Sequence, residues 1–288
     1  MKRILITGAS GLLGRYLCNR LLQLDVEVYA ITRVAPANPL HGIKYYPIDL
    51  TRQWLDEDLP SKVDAIVHLA QSSKFRDFPD SALDVFKVNI QSTARLLDYA
   101  KRAKARQFIY ASSGGVYGSG RNPFSESSNF IPSWPLGYYF GSKICGELLV
   151  KSYADIFNTV VVRPFFIYGA GQNRSMLIPR LIDSIAAGKL INIKGENGIR
   201  INPVHAEDAA EAIVVALSLR ESATFNIAGP EVVSIRDICE GIGNHIGKMP
   251  LFQIQAGEAE DLIADITAMS ASLIAPQRRL FDMLFELA

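Results

Sequence analysis

The feature that most constrains this chain is a glycine pattern placed between its first apolar run and its first stretch of helical period. Ile4–Thr7 predicts a strand and Leu12–Leu24 a helix, with Gly8, Gly11 and Gly14 at the junction. These glycines permit a tight turn, close approach of an anion to the backbone, and close packing of helix on sheet. Since a helix N-terminus presents unpaired N–H groups, the junction predicts a pyrophosphate site rather than a plain turn. The residues predicted to form it are Gly8, Ser10, Gly11, Leu12, Leu13 and Gly14.

Further along, short β-branched runs continue to alternate with longer segments of helical period. This alternation predicts a parallel sheet covered by helices on both faces, because parallel strands need crossover connections. Six strands in this order predict an α/β fold with a doubly wound, Rossmann sheet. The predicted strands after the first are Val26–Ile31, Ile43–Ile48, Ala65–Leu69, Phe108–Ala111 and Thr159–Arg163, with helices at Val85–Ala103 and Tyr138–Tyr153.

After Pro164 the alternation becomes irregular, which predicts a smaller α/β region in the C-terminal part of the chain. Ser234 predicts an N-cap and Gly247 a C-terminal stop for a helix over Ser234–Ile246. We therefore expect residues 1–165 and 191–228 to form the dinucleotide-binding domain. Residues 166–190 and 229–288 are expected to form the substrate-binding region.

Charge and cysteine content restrict the partners and the compartment. The chain has 30 basic and 29 acidic residues, so its net charge is too small to attract nucleic acid or an anionic membrane. The expected partner is a small molecule. Cys18, Cys145 and Cys239 are widely spaced, which predicts neither disulfides nor a metal site. The apolar run at the N-terminus is too short for a signal peptide, and no stretch is long enough to span a membrane. These features predict a cytoplasmic protein.

The end of the second predicted strand bears on the choice of dinucleotide. In dinucleotide-binding folds with this glycine pattern, the residue at the position of Arg33 contacts the adenosine ribose, and a guanidinium suits a 2′-phosphate there. Arg33 therefore favours NADP over NAD, with a solvated loop charge as the alternative interpretation. Asp49 and Leu50 follow the third strand, where a carboxylate can accept the adenine amino group.

Tyr139 and Lys143 lie four residues apart on a predicted helix, so their side chains share one face. A phenol has a pKa near 10 and is a poor proton shuttle at neutral pH unless a neighbouring ammonium favours the phenolate. We therefore expect Lys143 to lower the pKa of Tyr139. Ser112 and Ser113 end the fifth strand, on the edge where open α/β sheets bind ligands.

With these motifs in order, the chain resembles the short-chain dehydrogenase/reductase superfamily and, within it, the extended branch of nucleotide-sugar epimerases and dehydratases. The motifs span positions 7 to about 208, and a further strand motif follows at Phe225–Gly229. The motifs that carry the resemblance are Thr7-Gly8-x-x-Gly11-x-x-Gly14, Val67-His68-Leu69-Ala70, Val88-Asn89-Ile90, Ser112-Ser113-Gly114-Gly115-Val116-Tyr117-Gly118, Tyr139-x-x-x-Lys143, Arg163-Pro164-Phe165-x-x-Tyr168-Gly169 and Arg200-x-x-x-Val204-His205-x-x-Asp208.

The resemblance implies hydride transfer at a secondary alcohol or ketone with NAD(P) as cofactor. It implies that Tyr139 is the acid-base, that Lys143 binds the nicotinamide ribose, and that Ser113 holds the reacting oxygen. It also implies a homodimer through the helices over Val85–Ala103 and Tyr138–Tyr153. The remaining implied contacts are Leu69, Ala70, Asn89, Pro164 and Ile167 with the cofactor, and Arg200 with the diphosphate of a nucleotide sugar.

Two departures from the family pattern narrow the function. Gly114 and Gly115 stand where the sugar 4,6-dehydratases have acids, which disfavours dehydration. Gln255 replaces a second arginine that binds the diphosphate in the family. A nucleotide-sugar epimerase is the expected function; the alternatives are an NADP-dependent carbonyl reductase and a non-enzymatic NADP-binding sensor. Trp134, in the loop before Tyr139, is most simply a packing residue, although it could line the substrate pocket.

Overall fold

A seven-stranded parallel sheet forms the centre of the protein, in the order β3-β2-β1-β4-β5-β6-β9. The structure is a computed structural model that describes residues 2–131 and 136–287, so Trp134 lies outside the described residues. The strands are β1 Lys2–Thr7, β2 Val26–Thr32, β3 Ile43–Pro47, β4 Ala65–His68, β5 Gln107–Ala111, β6 Asn158–Pro164, β7 Leu190–Lys194, β8 Arg200–Ile201, β9 Ala223–Ile227, β10 Val233–Ser234 and β11 Leu251–Gln255.

Helices cover both faces of this sheet and confirm the doubly wound prediction. The apolar stripe of α1 packs on one face together with α6, and the stripes of α3 and α4 pack on the other. The six strands predicted from the alternation are joined at the edge beside β6 by β9, which overlaps the strand motif Phe225–Gly229. The helices are α1 Leu12–Leu21, α2 Ala82–Phe86, α3 Ser92–Arg102, α4 Gly137–Lys151, α5 Leu177–Ala186, α6 Ala206–Ala216, α7 Ile235–Ile246 and α8 Thr267–Ser272.

The helix expected over Val85–Ala103 begins earlier and is interrupted. Between α2 and α3, Lys87–Gln91 forms a π-helical turn that buries Val88 and Asn89. A π turn inserts one extra residue into the helix and commonly lies at a functional site. Here it places Asn89 behind the carboxyl end of the sheet.

The second region has a hydrophobic cluster of its own. Strand β7 pairs in parallel with β11, and the buried side chains of β7 pack with those of α5 and α7. Helix α7 ends as predicted: the Ser234 hydroxyl accepts a hydrogen bond from the Asp237 amide, and Gly247 takes the left-handed conformation at φ 69°. Between residues 2–131 and 136–287, no helix has the length and apolar character needed to cross a bilayer.

Candidate active site

The glycine turn after β1 is too crowded for a side chain at Gly8 and at Gly14. A Cβ on Gly14 would lie 2.2 Å from the carbonyl oxygen of Gly8, and one on Gly8, at φ 71°, would lie 2.7 Å from the Ala70 nitrogen. Gly11 is the N-cap of α1, supplies no capping side chain, and is followed by a first turn without acidic residues. The helix end therefore keeps its N–H groups and its partial positive charge for an anion. These residues fit a dinucleotide pyrophosphate.

The side chains expected to contact adenosine follow β2 and β3. Arg33 is exposed directly after β2, and its charge acts on Asp49. Burial opposes ionisation of Asp49, but hydrogen bonds from the Thr51 amide and hydroxyl outweigh it and lower the pKa of this carboxyl. Leu50 is half-buried beside it. Arg33 and Asp49 thus lie near one another at the same corner.

Leu69 and Ala70 continue from β4 along the glycine turn. The Ala70 amide donates to the Thr7 hydroxyl at 3.1 Å, which ties this strand end to β1. His68 is fully buried between Thr7 and Thr93, and burial lowers its pKa to about 3. A neutral, buried imidazole with both nitrogens engaged packs the strand end and does not reach the cleft.

Asn89 connects two parts of the site. Its Oδ1 accepts from the Ser72 amide at 2.9 Å, and its Nδ2 donates to the Ser142 hydroxyl at 2.9 Å. Ser142 in turn donates to the carbonyl oxygen of Tyr139. The Asn89 amide is thus engaged within the protein, so its expected contact with the cofactor stays a prediction.

Tyr139, Ser113 and Lys143 lie together at the carboxyl end of the sheet. Ser113 caps the 3₁₀ turn Gly114–Tyr117, and its hydroxyl also hydrogen-bonds with Tyr139. Its neighbour Ser112 is buried, and its Oγ has no partner in the part of the chain that the structure describes. Ser113 is therefore the serine that contacts Tyr139.

Burial outweighs the expected lowering of the Tyr139 pKa by Lys143. Burial raises the pKa of Tyr139 well above 10, and the hydrogen bond with Ser113 opposes this rise. Burial also lowers the pKa of Lys143 to about 7, although the charge of Glu147 raises it. The Lys143 ammonium donates to the Ala111 carbonyl at 2.9 Å and lies 5.8 Å from the centre of the Tyr139 ring. Desolvation disfavours the charged form of both groups, which the spacing in the sequence does not reveal.

Sequence reasoning missed two neighbours of Tyr139 on the loop after β4. The Tyr139 hydroxyl donates to Gln71 Oε1 at 2.7 Å, and the Phe75 ring lies 4.9 Å from the tyrosine ring. The available signal was that Gln71 lies in the loop only two residues after the predicted strand Ala65–Leu69, because polar residues there lie at the ligand edge of the sheet.

Glu147, one turn beyond Lys143 on α4, forms a buried ion pair with Arg163 on β6. Both side chains are 1% exposed, with oxygen–nitrogen distances of 2.9 and 2.6 Å. The guanidinium also contacts the Tyr117 hydroxyl and the Phe130 ring. This pair attaches the helix that carries Tyr139 to the central sheet.

The two glycines after Ser113 leave no space for side chains. A Cβ on Gly114 would lie 2.4 Å from the Phe165 ring, and one on Gly115 would lie 2.2 Å from the Phe140 ring. Pro164 ends β6, and Ile167 is half-buried just beyond it. Between them Phe166 has φ 44°, a strained conformation of the kind that clusters at functional sites.

Arg200 begins β8 and is paired with an acid, Asp261. Its Nε and Nη2 donate to Asp261 Oδ2 at 2.9 and 2.6 Å. Gln255 is exposed at the end of β11. A pocket of about 310 Å³ borders the Ser113 turn at Gly115 and α4 at Phe140, but Ser113, Tyr139 and Lys143 do not line it. Its lining residues are Gly115, Gly118, Ser119, Phe140, Lys194, Ile199, Ala259, Glu260 and Leu262.

Comparisons with known proteins agree with this geometry. The model of the NAD-dependent epimerase/dehydratase family matches residues 4–228. The chain is 27% identical to an uncharacterized UDP-glucose epimerase of Bacillus subtilis (strain 168), over 92% of this chain and 90% of that protein. It is also 27% identical to a dTDP-glucose 4,6-dehydratase of Streptomyces niveus, over 83% of this chain and 76% of that protein.

A solved structure resembles the whole fold. The UDP-glucuronic acid 4-epimerase from Bacillus cereus, in complex with UDP-glucuronic acid and NAD, superposes with a TM-score of 0.86 at 27% identity, covering 99% of this chain and 97% of that one. The α/β Rossmann fold predicted from the sequence is therefore confirmed.

Proposed function

This chain belongs to the NAD-dependent epimerase/dehydratase family, and from that premise we propose that it is an NAD(P)-dependent epimerase acting on a nucleotide sugar. The observation that carries the proposal is the group formed by half-buried Ser113 and buried Tyr139 and Lys143, beside a glycine turn fitted to a pyrophosphate. The Bacillus cereus relative is a UDP-glucuronic acid 4-epimerase, which supports a nucleotide sugar as the substrate class.

The proposed chemistry assigns one task to each side chain. When bound, the nicotinamide of NAD(P) supplies the hydride acceptor and donor. Tyr139, as phenolate, takes the proton from a sugar hydroxyl, and it returns this proton after the hydride has come back on the other face of the carbon. Ser113 hydrogen-bonds to the same oxygen, while the Lys143 ammonium favours the phenolate and holds the ribose.

An epimerase accords with the surroundings of Ser113 better than a dehydratase does. Elimination of water needs a further acid and base near the sugar. Gly114 and Gly115 supply neither, and the rings of Phe165 and Phe140 leave no room for side chains there. The site is therefore proposed to move a hydride and a proton at one carbon.

The cofactor contacts proposed from the sequence share one edge of the sheet. The glycine turn holds the pyrophosphate; Arg33, Asp49 and Leu50 receive the adenosine; Leu69, Ala70, Asn89, Pro164 and Ile167 surround the rest. Arg33 supports NADP, whereas the Bacillus cereus structure contains NAD. Dissociation constants for both dinucleotides, measured in wild type and Arg33→Ala, decide the preference. If Arg33 contacts the 2′-phosphate, Arg33→Ala weakens the binding of NADP and leaves that of NAD unchanged.

The proposal also covers the division into domains, the oligomeric state and the location of the protein. Residues 1–165 and 191–228 bind the dinucleotide, and residues 166–190 and 229–288 bind the substrate, although the packing of β7 favours placing 190–194 with the second group. Exposed Phe86 and Leu148 support a homodimer through the helices over Val85–Ala103 and Tyr138–Tyr153, which light scattering of the purified protein tests. The cytoplasmic location stays a prediction.

The deciding experiment compares two adjacent tyrosines. Wild-type protein is incubated with NAD or NADP and a panel of UDP- and dTDP-sugars, and epimers are resolved by proton NMR. Tyr139→Phe should abolish turnover and keep cofactor binding. The matched control is Tyr138→Phe, because Tyr138 is exposed and stacks on Phe78 outside the site. Full activity in Tyr139→Phe would overturn the proposal. Turnover of ketones with stoichiometric consumption of NADPH, and no epimer, would favour a carbonyl reductase.

A further inference from the structure

The Tyr139 hydroxyl has a neighbour for which the proposed reaction gives no role. It donates a hydrogen bond of 2.7 Å to Gln71 Oε1. Gln71 belongs to the loop after β4, and Ser113 follows the neighbouring strand β5. The hydroxyl is therefore held between a serine and a carboxamide.

The backbone of Gln71 is fixed by the same network that fixes Tyr139. The next residue, Ser72, donates its amide to Asn89 Oδ1 at 2.9 Å, and the Ser72 hydroxyl contacts Asp84. The other end of the Asn89 amide reaches the Tyr139 carbonyl through Ser142. Because one buried side chain anchors both sides, the separation of Gln71 and Tyr139 is determined by the fold and not by a mobile loop.

The surroundings of the hydroxyl offer few other donors for a phenolate. The ionisable groups on α4 and the sheet are Lys143, Glu147, Tyr110 and His68. The loop after β4 and α2 add Lys74, Arg76, which lies over the Phe75 ring, and Asp84, which is bound by the Ser72 hydroxyl. The Lys143 ammonium donates to the Ala111 carbonyl, and His68 is neutral. A negative oxygen at Tyr139 can accept from the Ser113 hydroxyl, and an N–H group of Gln71 would add a second direct donor.

We propose that Gln71 is a positioning residue for proton transfer, whose carboxamide accepts from the neutral Tyr139 and turns to donate Nε2–H to the phenolate. A carboxamide carries an acceptor and two donors on one rotatable group, so it matches both protonation states. The proton itself moves between the sugar hydroxyl and Tyr139, and Gln71 neither gains nor loses one. This inference rests on the proposed role of Tyr139 as the acid-base.

The hydrogen bond of Gln71 to the phenolate is stronger than its bond to the neutral phenol, so the proposal predicts the direction in which Gln71 changes the pKa of Tyr139. A bond to a charged oxygen is about twice as strong as one between neutral groups. Gln71 therefore lowers the pKa of Tyr139, and removing its amide raises the pH at which kcat falls to half on the acid side. For Gln71→Leu the expected shift is about 0.5 to 1 pH unit upward.

The experiment uses protein saturated with its cofactor and three variants. Gln71→Leu removes both hydrogen-bonding functions, and Gln71→Glu keeps an acceptor but opposes the phenolate with its charge, so its shift should be larger. The control is Gln23→Leu, the same change at an exposed position after α1. The measurements are the pH dependence of kcat and a ¹³C NMR titration of Cζ-labelled tyrosine, with the Tyr139 signal assigned from Tyr139→Phe.

The outcomes separate this inference from the proposed function. Upward shifts in both variants, with circular dichroism unchanged, support the inference. Equal losses of kcat in Gln71→Leu and Gln71→Glu without any shift would show a merely structural role and overturn it. If no nucleotide sugar is epimerised, the proposed function fails, but the NMR titration still shows whether Gln71 favours the phenolate.

Discussion

Replacing Glu147 by glutamine should destabilise the protein far more than the same change at its surface. Glu147 and Arg163 are each 1% exposed and share two hydrogen bonds. Glutamine keeps the shape and can accept one of these bonds, but its NH₂ group faces the other guanidinium N–H. Arg163 then retains its charge in the interior with only Tyr117, a carbonyl oxygen and aromatic rings around it.

The expected magnitude follows from the burial. Removing one partner of a buried ion pair costs about 3 to 5 kcal/mol, because the remaining charge stays desolvated. At the unfolding entropy typical of a chain of this length, that loss lowers Tm by roughly 5 to 10 °C. The cost falls on the attachment of α4 to β6, so the helix carrying Tyr139 and Lys143 should also loosen.

Thermal and urea unfolding followed by circular dichroism measure the effect. The matched control is Glu240→Gln, because Glu240 is half exposed and pairs with Arg236 at 3.5 Å on the surface of α7. An exposed pair of this kind contributes about 0.5 kcal/mol or less.

A loss below about 1 kcal/mol for Glu147→Gln, similar to that of the control, would refute the reasoning. The double variant Glu147→Leu with Arg163→Met provides a second check. It should recover most of the stability, since neither charge then remains buried alone.

Three further outcomes follow from the site. Lys143 has a pKa of about 7 when folded, against 10.5 as a free side chain. Between these two pH values the unfolded chain therefore binds more protons than the folded chain does. The free energy of unfolding of wild type, relative to that of Lys143→Met, should rise by about 2 kcal/mol from pH 7 to pH 9 in denaturant titrations without cofactor. A difference that does not change with pH would contradict this. Asp261→Asn should release Arg200 and lower KM for the sugar nucleotide about two- to fivefold at unchanged kcat, whereas a higher KM would mean that Asp261 orients Arg200 for binding. Gly14→Ala places a methyl group 2.2 Å from a carbonyl oxygen and should weaken NAD(P) binding at least about tenfold by calorimetry, whereas Gly141→Ala, with open space around it, should leave binding unchanged.

Much of the fold and part of the site could be predicted because their causes are local in the chain. The glycines after β1 are required by one tight turn, and the four-residue spacing of Tyr139 and Lys143 places them on one helix face in any context. The ends of α7 follow from Ser234 and Gly247 in the same way. Period and turn chemistry act over a few residues, so the amino-acid sequence determined them by itself.

The features that could not be predicted depend on residues far apart in the chain. Gln71 meets Tyr139 across 68 positions, and Asp261 reaches Arg200 across 61, pairings that no spacing rule indicates. The ionisation of Tyr139 and Lys143 was mispredicted because adjacency suggested a charge effect, while desolvation by the assembled core dominates. The sequence determined which groups are present and which share a turn or a helix face. Only the tertiary structure decided which of them lose water and which partners they meet, because burial and pairing arise when distant segments pack.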